Sequence, residues 1–526
     1  MTEHRVGALD PLRRRAFRWL ALGVFCAGVG QWMQLVGAQW SLVTEPNAAV
    51  LVSLVQAAST LPILLLALPG GVLADSFDRR WLLVGTQVHL FVVAGTLFLF
   101  ARAGHLTAPL LLVFTFLLGL GMALQIPTWS ATIPDLVPRS EVGAATRIDQ
   151  VGVNLARALG PAIGGLLIAA FGVPTVFIVN AFAVVPLAAT LLLWRGLPVE
   201  LTAPRERFLP AIRAGGRYVR HSGIVRRILG RFALFVIPAS AMWALLPLIA
   251  SGPLGLGAAA YGLLFAALGG GAISGAFVLP RARERLSTNA ILNIAMLLYA
   301  ASIAALVVAP HIVVALVALV VAGLGWSSVA STVIAELQLF LPAWVRARGM
   351  GIYLMVFMGS QVAGSVLWGQ AGQQLGVVPA MLASAGGVLV AAAAGLVIRV
   401  PETGHLDRQP ASPLGEPIVV LQPPPNAPVT VVVEYTVRAP DQSAFVAAMA
   451  GVRGVRLRTG ATSWELLQVA EEPERFLERF TVRTWEEHLR QHDGRLVGSD
   501  QQLWDAALAY SDPPAFGRHL VAPLQP

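Results

Sequence analysis

NLARALGPAIGGLLIAAFG, residues Asn154–Gly172, and MGSQVAGSVLWGQAGQQLG, residues Met358–Gly376, are two copies of one pattern, and reading them as copies decides the architecture. Gly160, Gly165 and Gly172 fall on Gly364, Gly369 and Gly376, a shift of 204 residues (364 − 160). The same shift, without a gap, carries Gly71, Gly119 and Gly121 onto Gly275, Gly323 and Gly325, and Pro138 onto Pro342. Glycine frequency alone leads one to expect about two coincidences at an arbitrary offset, so six favour duplication, and a duplication governs the whole fold.

Working outward, the repeated unit lies in a chain too apolar for water. Of 526 residues 56% are hydrophobic and 12% charged, with mean hydropathy +0.70, well beyond ordinary soluble composition. A bilayer-spanning helix needs about 20 predominantly apolar residues. Twelve such runs are found, near 17–40, 48–74, 81–101, 107–133, 144–170, 174–195, 232–251, 258–280, 288–309, 311–335, 348–371 and 377–399. The shift of 204 residues contains six of them. Six is even, so both copies enter the membrane from the same side. The expected fold is therefore an all-α membrane protein, twelve transmembrane helices as two parallel six-helix repeats. Such halves, related by an axis along the membrane normal, are a transporter design with the substrate site near the midplane.

Every basic residue among the Lys and Arg is arginine, 26 against 12 acids before residue 401 and 11 against 16 after it. Positively charged loops stay in the cytoplasm. Alternate loops carry Arg79 and Arg80, then Arg139, then nine arginines from Arg195 to Arg231, then Arg281, Arg283 and Arg285, then Arg346 and Arg348; the intervening loops hold only Arg102. This places both termini in the cytoplasm of a bacterial (inner) membrane protein. The first apolar run follows Arg13, Arg14, Arg15 and Arg18 and lacks a small-residue cleavage site, so it reads as a span and not a signal peptide. The Arg195–Arg231 connection interleaves apolar residues with arginine at helical spacing and reads as an amphipathic segment on the anionic inner leaflet, not as a nucleic-acid site. Cys26 stands alone in the chain, which excludes a disulfide framework and a cysteine metal site.

The loop after the second span reads GGVLADSFDRR from Gly70 to Arg80 and resembles the signature loop of the major facilitator superfamily, with Asp78 where a second glycine is usual. PDLVPRSEVGAATR from Pro134, NLARALGPAIGG from Asn154, LPRARERLS from Leu279 and LPAWVRARGMGIYL from Leu341 are similar to the enterobactin-exporter-like (transmembrane secretion effector) branch with a C-terminal extension. The resemblance implies a conformational latch at Gly71, Asp75, Arg79 and Arg80, with Asp75 facing a helix N-terminus. It also implies protons as the coupling ion, although span four carries Thr115 near the slot where proton-coupled relatives hold arginine. Gly160, Pro161, Gly164 and Gly165 are similar to a span-five element of exporters; they read either as a Pro-weakened hinge or as ordinary small-residue packing.

Charges inside spans are costly and point to function. Arg157 lies three turns into span five and reads as facing the cavity; Arg147 and Asp149 lie nearer its cytoplasmic end. Gln31, Trp32 and Gln34 give the first span an unusual polar and aromatic load, with hydrogen bonds and a stacking face for an amphipathic substrate. Asn154, Trp243, Trp326 and Gln361 are candidates for the same cavity, with helix packing as the alternative reading. The expected function is secondary active transport, export of a small amphipathic compound such as a siderophore, antibiotic or drug by alternating access, with import as an alternative.

Eight prolines between residues 401 and 428 mark a linker. Beyond it the pattern strand 429–437, helix, strand 463–470, strand 475–484, helix, strand 516–521 predicts a small C-terminal α+β ferredoxin-like domain. It is similar to small antibiotic-biosynthesis-type monooxygenases that pair as dimers, which implies self-association and leaves open an enzyme or sensor acting on the transported compound. His488 and His492, four apart on one helix, have metal-binding spacing but no third ligand in view, so they read as a solvated helix surface, with Trp485 and Trp504 as core. No metal, cofactor or catalytic residue is expected. The domains expected are 1–200 and 232–400 as transporter halves, 201–231 as connection, 401–428 as linker and 429–526 as the soluble domain.

Overall fold

The computed structural model describes residues 7–66, 69, 73, 77–194, 208–402, 406–411, 417, 419–421, 423–512 and 515–521. The latch residues Gly71 and Asp75 lie outside the described residues. The chain divides into two compact units: Met1–Ala203 with Gly230–Thr332 and Leu354–Arg399, and Pro204–Leu229 with Val333–Tyr353 and Val400–Pro526.

Among the described residues, twelve helices are long and apolar enough to cross a membrane. Spans 1 to 6 are Arg15–Trp40, Ala48–Leu66, Arg79–Arg102, Ala108–Leu136, Val142–Phe171 and Pro174–Leu193; spans 7 to 12 are Gly223–Ser251, Ala258–Arg283, Thr288–Val308, Ile312–Phe340, Ala343–Leu375 and Val377–Val397. The expected twelve-helix fold is thus the observed one.

The repeat is written into the packing. Hydrophobicity gives helices no reason to associate within lipid, so close van der Waals approach at small residues does that work. Gly119 brings span 4 onto Ser59 and Pro62 of span 2, and its copy Gly323 brings span 10 onto Leu268 and Ala272 of span 8. Gly121 meets Leu90 of span 3 as Gly325 meets Ala295 and Tyr299 of span 9. Gly160 seats span 5 on Val29 and Trp32 of span 1, and Gly364 seats span 11 on Ile237 and Ser240 of span 7. Gly172 and Gly376 end spans 5 and 11 with φ of 83° and 91°, a left-handed backbone that a side chain resists. Duplicated glycines do duplicated jobs.

The two halves meet across spans 5 and 8 and across spans 2 and 11. A Cβ on Gly165 would stand 2.5 Å from the Ala258 carbonyl oxygen and 2.9 Å from the Cα of Gly262; its copy Gly369 lies against Ala49 and Ser53. At the same level Gln39 Nε2 donates to the Trp243 carbonyl at 3.2 Å and Tyr261 Oη donates to Gln39 Oε1 at 2.7 Å. All of these contacts lie in the part of each span remote from the arginine-bearing loops.

In the second unit, strands β1 (Val429–Thr436), β2 (Ala461–Gln468), β3 (Arg475–Val482) and β4 (Ala515–Val521) form a sheet of order β2-β3-β1-β4, every neighbouring pair antiparallel. With helix α1 (Gln442–Thr459) between β1 and β2 and α2 (Trp485–His492) after β3, this is the ferredoxin-like topology expected from the sequence. Alternation along β1 buries Val429, Val431, Val433 and Tyr435 against Phe445, Met449 and Val452 of α1. An unanticipated helix, α3 (Gly498–Leu508), packs Leu503 on Gly451 of α1. Its polar run Ser499–Gln502 hides the helical spacing of Leu503, Ala507 and Leu508.

The same unit contains a connecting helix, Phe208–His221. Arg217 of that helix pairs with Glu487 of α2, Tyr218 packs edge-on against Trp344 at 5.8 Å, and the Trp344 indole donates to the Arg495 carbonyl at 3.1 Å. The sheet domain is therefore built together with residues from the 6–7 connection and from the segment joining spans 10 and 11.

Candidate functional site

In the bundle, ten aromatic rings run in unbroken contact. Trp32 of span 1 lies 6.3 Å from Trp243 and 6.0 Å from Phe265, ring centre to ring centre. Trp243 is 5.5 Å from Trp326, which in turn touches Phe235, Tyr299 and Phe357 at 5.7, 6.1 and 6.0 Å. Phe232 joins at Phe357, and Tyr261 carries the chain from Phe265 to Trp40. Spans 1, 7, 8, 9, 10 and 11 all contribute.

Arg157 joins this array at one end, its guanidinium carbon 5.4 Å from the Trp32 ring centre, a cation–π placement. Its Nε is buried and finds no hydrogen-bond partner among the described residues. The 204-residue shift places Gln361 opposite Arg157 in the second copy (157 + 204), one turn beyond Phe357 on span 11; its Oε1 is likewise buried and unpartnered. The Trp243 Nε1 shares that condition, as do both amide atoms of Gln34, 2% exposed, but Gln34 lies on the opposite face of span 1 from Trp32, the face on which Gly30 and Gly37 meet span 6. Buried polar atoms are normally satisfied, so a group of them beside an aromatic face is what a site for a polar-ended ligand requires.

Of the residues expected in the cavity, the structure thus joins Trp32, Arg157, Trp243 and Trp326, and sets Gln361 beside them. Asn154 donates its amide to the Gln150 carbonyl at 2.9 Å, within its own helix. Gln31 is half-buried on span 1. Sequence reading missed Phe265, Phe357, Tyr299 and the Gln39–Trp243 contact. The signal for the last was available: 39 + 204 = 243, and equivalent residues of two repeats meet where they approach the axis relating them.

The span-five glycines are points of contact. Gly160 and Gly164 face Trp32 and Met33, Gly165 faces Gly262, and the Pro161 carbonyl abuts Gly262. The helix runs through Pro161 unbroken, Val142–Phe171. Of the latch residues, Arg79 bonds the Ala131 carbonyl and Asp135 Oδ2 of span 4, both at 2.8 Å. Arg80 donates to the Leu191 and Leu192 carbonyls of span 6 at 2.7 and 2.8 Å. Asp78, the departure from the usual glycine, caps span 3 by accepting from the Arg80 and Trp81 amides at 2.8 and 3.3 Å.

In the sheet domain Glu478 is fully buried and fully satisfied. It accepts from Arg456 Nε at 3.0 Å, Trp464 Nε1 at 2.9 Å and Tyr435 Oη at 2.8 Å. Burial pushes its carboxyl up, but the Arg456 charge and these donors outweigh that and hold it below the usual carboxylate range. His488 is not on a solvated surface as its helical spacing suggested: it is 2% exposed, because β4 closes over that face of α2. Its ring is 4.8 Å from His492 and 4.9 Å from His519 of β4, centre to centre. Burial, aided by the neighbouring histidines, pushes His488 down to about 3, so its imidazole is neutral at physiological pH. Trp485 is core, as expected.

The family described as transmembrane secretion effector matches residues 6–521. The staphyloferrin A transporter of Staphylococcus aureus is 28% identical over 158 residues, 30% of this chain and 40% of its own length. The chain therefore spans less than half of that relative. The enterobactin exporter EntS of Escherichia coli is 27% identical over 61% of this chain and 76% of its own. Among solved structures, a bacterial homologue of the human lysosomal transporter Spinster, inward-facing and unoccupied, superimposes with TM-score 0.58 over 74% of this chain and 97% of its own, at 15% identity, a likeness of fold.

Proposed function

Because the chain belongs to the transmembrane secretion effector family of the major facilitator superfamily, and so is a multi-pass membrane transporter, we propose that it exports a small amphipathic compound by alternating access. The carrying observation is the aromatic array from spans 1 and 7 to 11 with Arg157 and the Gln361 and Trp243 groups, without partners among the described residues, beside it. Rings offer a stacking face to the apolar part of a cargo, and the arginine and the amide receive an anionic or polar end. The names of two relatives favour a siderophore; an antibiotic or drug suits the same surface.

With the arginine-rich loops and both termini assigned to the cytoplasm of the inner membrane, the contacts between halves lie at the outer level. That favours a state open to the cytoplasm, ready to load cargo for export. In this reading the Gly160–Gly165 contacts are the pivot, and Gly71, Asp75, Arg79 and Arg80 are the latch, anchored through Arg79 and Arg80 to spans 4 and 6. The expected division into halves at 1–200 and 232–400, connection, linker and terminal domain is retained as our proposal. The terminal domain, packed in one unit with the 6–7 connection and the 10–11 segment, is read as a regulator of rocking. Deleting residues 429–526 is expected to abolish transport; a deletion that transports normally would leave the enzyme or sensor reading.

Binding is tested first by a thermal-shift screen of purified protein against siderophores, antibiotics and dyes. Hits then enter proteoliposomes with an imposed pH gradient, which also reads direction and proton coupling. Trp243→Ala is expected to cut transport efficiency at least tenfold, a loss of about 1.4 kcal/mol of binding. Equal transport by this variant and by Arg157→Gln would remove the site.

A further inference from the structure

Three histidines of the terminal domain come together in the second unit. His488 and His492 lie one turn apart on α2, and β4 pairs with β1 in the register Val431↔His519, which sets His519 on the helix-covered face with the buried Val431. One ligand nitrogen from each histidine lies within 4.8 Å of the others, and the Nε2 atoms of His488 and His519 are 2.9 Å apart. A tetrahedral ion with bonds of about 2.0–2.1 Å sets its ligand atoms about 3.3 Å apart. Two of the three are already at about that spacing, and the third needs a small side-chain adjustment.

The surroundings prepare His488 as a ligand. Thr459 Oγ1 donates to the Val455 carbonyl at 2.8 Å, so its lone pairs receive the Gln491 amide nitrogen at 3.3 Å. That turns Gln491 Oε1 to His488 Nδ1 at 3.2 Å, and an oxygen there can only accept. The proton of His488 is therefore on Nδ1, and the Nε2 lone pair points at His519. His519 Nε2 must then carry its own proton in the metal-free state. Moving that proton to His519 Nδ1 frees a second lone pair with no change of charge. A buried partner that orients a ligand histidine in this way is the usual support of a metal centre. Trp485 packs at 5.5 Å from His488 and 5.6 Å from His519, an apolar wall on one side.

We propose that His488, His492 and His519 bind one divalent transition-metal ion of borderline softness, Zn2+ or Co2+, which joins strand β4 to helix α2. Three neutral imidazoles without a carboxylate among them select such ions over Mg2+ and Ca2+, and they leave coordination to water or to a further ligand. Among the described residues β4 is an edge strand, paired on one side only with β1, so the ion would hold the sheet edge that hydrogen bonding alone holds least.

The test is titration of full-length protein, purified without a histidine tag, with Co2+. The expected result is one saturable equivalent, with the visible absorption of cobalt in a nitrogen site, displaced by Zn2+. His492→Ala and His519→Ala, which replace half-buried rings and spare the buried His488, are each expected to abolish that band. Gln491→Met keeps all three ligands and is expected to weaken binding about 10–100-fold. Hydrogen exchange at β4 should slow when Zn2+ is added to the wild type, and not in His519→Ala. No saturable band in protein whose β1 and β3 amides are protected overturns the site, as does a band that both histidine variants retain.

Discussion

Glu478 and Arg157 are both charges taken out of water, and the two units treat them oppositely. In the sheet domain, Glu478 is surrounded by Arg456, Trp464 and Tyr435. In the bundle, Arg157 has a ring face for company and an Nε with no partner among the described residues. Burying an unpaired charge costs far more than burying a paired one. The domain pairs its charge because nothing else will come to it. In the bundle the Arg157 Nε has no partner among the described residues, and in the function proposed above a cargo supplies one in passing.

The comparison breaks most decisively at Glu478. Glu478→Ala leaves Arg456 buried without its partner, and removing one member of such a pair costs about 3–5 kcal/mol. Hydrogen exchange at β1 and β3 in the intact protein should rise accordingly, while the spans stay protected. Acid should act in the same direction: the folded carboxyl is held down, so its contribution is present above the ordinary Glu range and is lost as pH falls through the lowered value. A domain whose exchange is indifferent to acid would contradict the pairing.

Next in size is the glycine contact between halves. Gly165→Val places a side chain where a Cβ already stands 2.5 Å from the Ala258 carbonyl oxygen. Overpacking of this kind costs about 1–3 kcal/mol, and it falls on the contact that holds the halves together. Cysteine accessibility at the ends of spans 2 and 8 remote from the arginine-bearing loops should increase; no increase would mean that this approach is not the closed gate of the proposed cycle.

Smaller in stability, and sharper for function, is Arg157→Gln. Removing a charge that has no ion-pair partner among the described residues should leave thermal stability within about 0.5 kcal/mol of wild type or raise it, while binding of the identified cargo falls. A large loss of stability would show that Arg157 has a structural partner after all. Least in effect is Asp78→Ala, which deletes the cap of span 3 and costs about 1 kcal/mol, read as earlier thermal unfolding.

Much of this molecule was legible in one dimension, for physical reasons that differ by region. Lipid offers backbone groups no partner, so a span must be a helix of fixed minimum length, and its apolar run advertises itself. Repeated glycines were legible because a close approach tolerates no side chain, so Gly119 and Gly323, or Gly172 and Gly376, reveal the same local geometry in each copy. The sheet domain was legible from alternation in VTVVVEYT, since a two-sided strand buries every second residue.

What only the tertiary structure decided are the meetings between distant segments. Arg157 could be placed three turns deep by counting, but its face toward Trp32 depends on how span 5 is rotated, and Gly160 against span 1 sets that rotation. Phe265, Phe357 and Tyr299 look like any apolar span residue until spans 8, 9 and 11 bring them to Trp243 and Trp326. His519 is the plainest case. Nothing along the chain ties it to His488 and His492, and only the pairing of β4 with β1 turns a helix-surface spacing into a three-sided site. Sequence alone determined which segments are apolar spans, how many there are and that they come twice, because those follow from solvent and local sterics. Which side chains share a site was settled by register and rotation, which depend on packing between elements far apart in the chain.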